Sequence, residues 1–176
     1  MPIDDSPPSP LPVRIAVLKV LDNRTRTDDA AGDLLVSRIV EAGHLLAARD
    51  RVAADLPSIV DVLMAWTKDP DIDCVITVGG TGFSPRDVTP EALAQVWDRE
   101  IAGFGELFRM VSYRSVGSSA IQSRACAGLA GRVCLFAVPG SPGGVRDAWD
   151  SLIGPQLDSL HKPCNLVEHL NCACRT

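Results

Sequence analysis

No apolar run in this 176-residue chain approaches the roughly 20 residues that cross a bilayer. An excess of basic charge is also missing. Lys and Arg number 17 against 22 Asp and Glu, a formal net charge of −5. That balance excludes the electrostatic footprint of a nucleic-acid binder. Residues 1–12 are acidic and carry five prolines, without the basic and apolar regions of an export signal. They are expected to form a disordered leader to a cytoplasmic protein. Without export, the six cysteines are not read as a disulfide framework. Cys74, Cys126 and Cys134 lie in apolar or small-residue runs, where a free thiol behaves as a small buried hydrophobe. No internal repeat is evident. The length suits one well-filled domain, expected over 13–170, with a frayed end over 171–176.

Two common phosphate-binding signatures are absent as well. No glycine loop ends in Gly-Lys-Ser/Thr, which excludes a standard P-loop NTPase. None follows the Gly-x-Gly-x-x-Gly spacing of dinucleotide-binding folds.

What is present centres on residues 74–93, CVITVGGTGFSPRDVTPEAL. The β-branched run 74–78 predicts a strand buried on both faces. Gly79, Gly80, Thr81 and Gly82 then allow a sharp turn and bring backbone N–H groups close to a ligand. Thr89-Pro90-Glu91 predicts a helix start, with Thr as N-cap, Pro in the first turn and Glu complementing the dipole. Strand, glycine loop and helix in that order place the loop at the carboxyl end of a strand, where open α/β sheets bind ligands. A plain packing turn is the alternative for the glycines alone. Arg86-Asp87 lies in the link.

Upstream, 14–20 predicts a first, central strand. The polar stretch 21–29 ends in Asp28-Asp29, and a helix is predicted over 30–42 with Gly43 near its C-cap. Asp29 thus stands at a helix N-terminus, where capping alone would justify it. A strand within 44–53, a helix opened by Leu56-Pro57 and a turn at Asp69-Pro70-Asp71 follow. This β-α-β-α-β alternation means parallel strands with helices on both faces. Downstream, 101–110 spaces its aromatics and Met helically, as core packing or as cover for an oligomer interface. The hydroxyl-rich 112–124 fits a helix or a binding loop equally. A buried strand at 133–138 runs into a second glycine loop, Pro139-Gly140-Ser141-Pro142. Two such loops in one small domain are best explained by a shared crevice.

The stretch GGTGFSPRDVTPEAL resembles the signature of the molybdopterin-binding family, which includes molybdopterin adenylyltransferases, the MoaB and MogA proteins and the G domain of gephyrin. Three further blocks resemble it: Asp29-Ala30-Ala31-Gly32, which looks like Asp-x-Ser-Gly with Ala31 at the Ser position; Ser118-Ser119 with Gln122-Ser123-Arg124-Ala125; and Pro139-Gly140-Ser141-Pro142. The segment 99–106 and the Lys162-Pro163-Cys164-Asn165 ending look closest to the MoaB branch. The resemblance implies a three-layer α/β/α sandwich with a mostly parallel sheet, assembled as a trimer or hexamer. It implies adenylylation of molybdopterin by ATP with Mg²⁺, giving adenylyl-molybdopterin and pyrophosphate. A phosphate nucleophile arrives with the substrate, so the chemistry needs positioning and charge neutralisation rather than an activated side chain.

Under that reading Asp87 is the first candidate for an essential residue and a Mg²⁺ ligand, and Asp29 the second. Gly79, Gly80, Thr81, Gly82, Ser84, Arg86, Ser118, Ser119, Ser123 and Arg124 are expected to bind pterin and phosphate. For both arginines a structural ion pair is the alternative. Pro139, Gly140, Ser141 and Pro142 are expected at the nucleotide. Ala31 departs from the family's Ser, removing a hydroxyl from an expected ligand-binding turn. A non-catalytic pterin carrier and an oligomeric scaffold are the rival readings. His161, Cys164, His169, Cys172 and Cys174 cluster in the tail, but at spacings that match no standard zinc pattern.

Overall fold

A computed structural model describes residues 9–21 and 29–172. Asp28 and most of the polar 21–29 stretch lie outside the described residues, as do 1–8 of the leader and 173–176 of the tail. Six strands form one sheet in the order β2-β1-β3-β6-β5-β4. β1 (Arg14–Leu21), β2 (Leu45–Ala53), β3 (Cys74–Val78) and β6 (Val133–Val138) run parallel. β5 (Cys126–Ala130) pairs antiparallel with β6 and with the short β4 (Arg99–Glu100).

The layering follows from side-chain alternation along the central strands. On β1, Ile15 and Val17 enter one core, while Ala16, Leu18 and Val20 enter the other. The first core packs against α1 (Ala30–Glu41), α4 (Ala102–Val116) and α5 (Pro142–Ala148) through Leu35, Ile39, Phe104, Phe108 and Val145. The second packs against α2 (Leu56–Trp66) and α3 (Thr89–Ala94) through Ile59, Leu63, Ala92 and Leu93. Helices therefore cover both faces, a three-layer α/β/α arrangement. Phe104 meets Phe136 edge-on with ring centroids 5.1 Å apart, tying α4 to β6. Burying each such side chain contributes about 1.5–3 kcal/mol.

Local sequence explains the helix ends. Asp55 caps α2 by accepting the Ser58 N–H at 3.0 Å, with Pro57 in the first turn. Gly43 follows α1 with φ +81, and the His44 N–H closes the turn on the Ile39 carbonyl. α5 continues through a π-helical turn, Trp149–Ile153, into α6 (Gly154–Leu157), and α7 (Val167–Cys172) ends the described chain. Residues 112–124 divide: α4 runs to Val116, Gly117–Gln122 form a 3₁₀ turn, and Ser123 is extended.

Two elements differ from the sequence expectation. Thr89 does not cap α3 with its side chain. It is fully buried, and its hydroxyl donates instead to the Gly79 carbonyl at 2.8 Å. The hairpin of β5 and β6, turned at Gly131 with φ +57, was not expected in the small-residue run 125–131.

Candidate functional site

Register brings the ends of three parallel strands level. Lys19 pairs with Val78, and Val78 pairs with Val138. Immediately beyond lie both glycine loops, and they line one cavity of about 500 Å³. Its first wall is Gly79, Gly80, Thr81 and Gly82, with Arg86 and Asp87 at the rim. Its second is Pro139, Gly140 and Ser141; Ser119, Gln122 and Ser123 of the hydroxyl-rich block close a third side. The floor is Lys19 and Val20 of β1, with Ala54 after β2.

The first loop is held by a fully buried threonine. Gly79 (φ +106) donates its N–H to the Val138 carbonyl at 2.9 Å and accepts the Thr89 hydroxyl. Gly80 (φ +68) accepts the Thr89 N–H at 3.1 Å, and a Cβ there would lie 2.3 Å from Thr89 Oγ1. Glycine is required at both positions by backbone sign and space. The following turn closes on Asp87, whose Oδ2 accepts the Ser84 N–H at 2.8 Å while its own N–H donates to the Ser84 carbonyl at 2.9 Å. Ser84 thus serves the turn through its backbone and does not line the cavity.

Arg124 braces this loop from outside. Its N–H donates to the Thr81 carbonyl at 2.9 Å and its Nε to the Gly82 carbonyl at 2.8 Å. Nη2 donates to the Asp87 carbonyl, Nη1 pairs with Glu91, and the guanidinium lies 5.5 Å from the centroid of the Phe83 ring. It is not among the cavity-lining residues. The structural ion pair expected as one alternative is formed, with Glu91.

In the second loop Ser141 caps α5, its Oγ accepting the Gly144 N–H at 3.1 Å, and Pro142 occupies the first helical turn rather than the cavity wall. A Cβ on Gly140 would lie 3.3 Å from the Gly79 Cα, so the two loops meet at their glycines. Ser123 Oγ is buried and has no hydrogen-bond partner among the described residues. Ser118 is exposed on the 3₁₀ turn and does not line the cavity.

Asp29 sits one ion pair away from the cavity. It caps α1 by accepting the Gly32 N–H at 3.1 Å on Oδ1, and the same oxygen lies 3.2 Å from Lys19 Nζ. Oδ2 accepts from Arg49 at 3.1 Å. Burial pushes this carboxyl up, but the bonds from Arg49, the Gly32 N–H and Lys19 outweigh it and hold the group below the usual carboxylate range. With both oxygens engaged by cations, Asp29 is poorly suited to hold Mg²⁺. Asp87 suits it better. It borders the cavity, and Mg²⁺ typically takes a protein carboxylate or two together with substrate phosphates. Among the described residues no group of three or more His, Cys, Asp or Glu forms a cage of its own.

Lys19 was not singled out from the sequence; the available signal was a lysine inside an otherwise apolar, buried strand. Ala31 belongs to the core against α1 and does not line the cavity, so the hydroxyl it lacks is not one facing the site. In the tail, His161 borders an apolar hollow beside Phe104 and Leu152, and Cys164 is exposed. The Cys172 and Cys174 side chains lie outside the described residues.

Residues 16–159 match the model of a family described as a probable molybdopterin binding domain. The chain is 42% identical over 160 residues to molybdenum cofactor biosynthesis protein B of Escherichia coli strain K12, covering 91% of this chain and 94% of that protein. It is 45% identical over 153 residues to the protein of that name from Bacillus cereus, covering 86% and 90%. A crystal structure of a molybdenum cofactor biosynthesis protein B superposes with a TM-score of 0.81 at 45% identity, covering 85% of this chain and 94% of the other.

Proposed function

The chain belongs to the molybdopterin-binding domain family, and from that premise we propose that it works in molybdenum cofactor biosynthesis as a molybdopterin adenylyltransferase. The pterin's terminal phosphate oxygen attacks the α-phosphorus of ATP. A P–O bond forms there, the bond to the bridging α–β oxygen breaks, and pyrophosphate leaves. The observation that carries this reading is the convergence of two glycine loops and Asp87 on one cavity at the carboxyl ends of adjacent parallel strands.

Each part of the cavity has a task in that reaction. The first loop, fixed by Thr89 and Arg124, presents backbone amide groups at a constant distance from the phosphates. The second loop lies against it at Gly140 and receives the nucleotide. Ser119, Gln122 and Ser123 supply hydroxyl and amide partners to the pterin. Asp87 is the carboxylate that holds Mg²⁺, which when bound neutralises polyphosphate charge. The oligomer is a trimer or hexamer; Leu107, Met110, Tyr113 and Val116, exposed along α4, support self-association.

The test is a discontinuous assay with molybdopterin, Mg²⁺ and α-labelled ATP. Labelled adenylyl-pterin should form with the wild-type protein and be lost in Asp87→Asn, which keeps a side-chain acceptor for the Ser84 N–H. Wild-type turnover in the variant would remove Asp87 from the mechanism. No product from the wild type, with pterin bound tightly in a parallel titration, would leave a carrier.

A further inference from the structure

Lys19 occupies a place where a lysine needs a reason. Its β1 neighbours Val17, Leu18 and Val20 are buried, and its own side chain is only 7% exposed. An ammonium taken out of water is costly, and a buried ion pair is seldom more stable than apolar residues of similar volume. Its pairing with Asp29 therefore explains how the charge is tolerated, not why it is there. Asp29 is already satisfied by the Gly32 N–H and by Arg49, so it does not require Lys19 as a partner.

What remains of the lysine surface borders the cavity. Strand register sets Lys19 at the last level before both glycine loops. A Cβ on Gly140 would lie 3.8 Å from Nζ, so a side chain there would stand directly against the ammonium. An ammonium has three donors, and Asp29 Oδ1 takes one of them. Ser123 Oγ, buried without a partner among the described residues, borders the same cavity.

We propose that Lys19 contacts a phosphate group of the bound ligand at the floor of the glycine cavity, with Asp29 and Arg49 as positioning residues that hold its ammonium there. The proposal rests on the functional reading above, in which both pterin and nucleotide bring phosphate. Either could supply the group that Lys19 meets, and the arms of the experiment separate them.

Calorimetric titrations of the full chain with molybdopterin, its dephosphorylated form, a non-hydrolysable ATP analogue and inorganic pyrophosphate make the test. Lys19→Met should weaken binding of the phosphate-bearing ligand about ten- to a hundred-fold, the range for one lost hydrogen bond to a charged group. Affinity for the dephosphorylated pterin should not change, and Lys19→Arg should recover part of the loss. A loss confined to molybdopterin assigns the pterin phosphate; a loss confined to the analogue assigns the nucleotide. If Lys19→Met is insoluble, Lys19→Gln carries the same comparison, because its amide still donates to Asp29. Wild-type affinities throughout would overturn the proposal and leave the functional reading standing. Binding of neither pterin nor nucleotide by the wild type would sink the functional reading. Pyrophosphate then decides Lys19 alone: weaker binding in the variant supports the contact, and equal or absent binding overturns it.

Discussion

Replacing Arg124 with lysine separates a strut from a phosphate ligand, because the substitution keeps the charge and removes the fork. The guanidinium serves the Gly82 carbonyl, the Asp87 carbonyl and Glu91 at once, over the Phe83 ring. A lysine ammonium on a flexible stem reaches at most one of the two carbonyls. Hydrogen bonds to charged groups contribute about 1.5–3 kcal/mol each. The Arg124 side chain is 27% exposed, so water replaces part of what is lost. A net local cost of about 2 kcal/mol is expected, which corresponds to roughly 30-fold faster opening. The loss should be local, since the loop packs few apolar side chains of its own. Hydrogen exchange at the Asp87 and Val88 amides, which close the turn onto Ser84 and Arg86, reads it directly. Exchange there should accelerate in Arg124→Lys while the β1 and β3 amides keep wild-type protection. Unchanged exchange at these amides would refute the strut. So would a variant that binds molybdopterin like wild type where Arg124→Ala does not.

Gly80→Ala places a Cβ 2.3 Å from Thr89 Oγ1 at φ +68. Left-handed backbone and a disturbed Thr89–Gly79 bond together should cost about 2–3 kcal/mol in urea denaturation. A loss below about 0.5 kcal/mol, the range of an unremarkable surface change, would contradict the geometry. Iodoacetamide on the native protein should modify Cys164, which is exposed, and spare Cys74, Cys126 and Cys134, as peptide mapping by mass spectrometry would show. Burial pushes the Cys126 and Cys134 thiols up to about 12, leaving almost no thiolate. Acid should destabilise the fold through Asp29 and Asp73. Burial raises both carboxyls, but Asp29 is held low by Arg49 and Asp73 by Arg14. Each therefore stays ionised in the folded state after its unfolded counterpart has taken up a proton. Their contribution is complete above the unfolded value, about 3.9, and disappears as pH falls through the depressed folded value. Urea midpoints measured from pH 6 down to 3 should fall, less steeply in Asp73→Asn; parallel curves would exclude Asp73.

The architecture was legible because its signals are local. The run 74–78 is apolar at every position and forms a strand buried on both faces. Gly43 ends α1, Pro57 begins α2, and the two glycine loops follow their strands directly. The hairpin of β5 and β6 was not legible. Ala125, Ala127 and Gly128 alternate nothing that periodicity can detect, and the pairing of β5 depends on β6 lying beside it. Thr89 misled for a related reason. Its position before Pro90 fits an N-cap, but the Gly79 carbonyl, ten residues away, offers its buried hydroxyl a better acceptor.

The two cations show where residue type stops being informative. Arg124 stands beside hydroxyl groups in the sequence and reads as a ligand for phosphate, yet three main-chain and side-chain acceptors from 82–91 converge on its fork. Lys19 stands in an apolar strand and reads as nothing in particular, yet register brings it level with Val78 and Val138 where both loops begin. The difference lies in Asp29, ten residues distant, whose carboxylate, itself held by Arg49, compensates a buried charge that no short segment can stabilise alone. Arg124 turns three of its donors to its own chain and lies outside the cavity wall. Lys19, which among the described residues pairs with Asp29 alone, borders the cavity beneath a glycine. It follows that losing Lys19 should be felt in affinity and losing Arg124 in loop order.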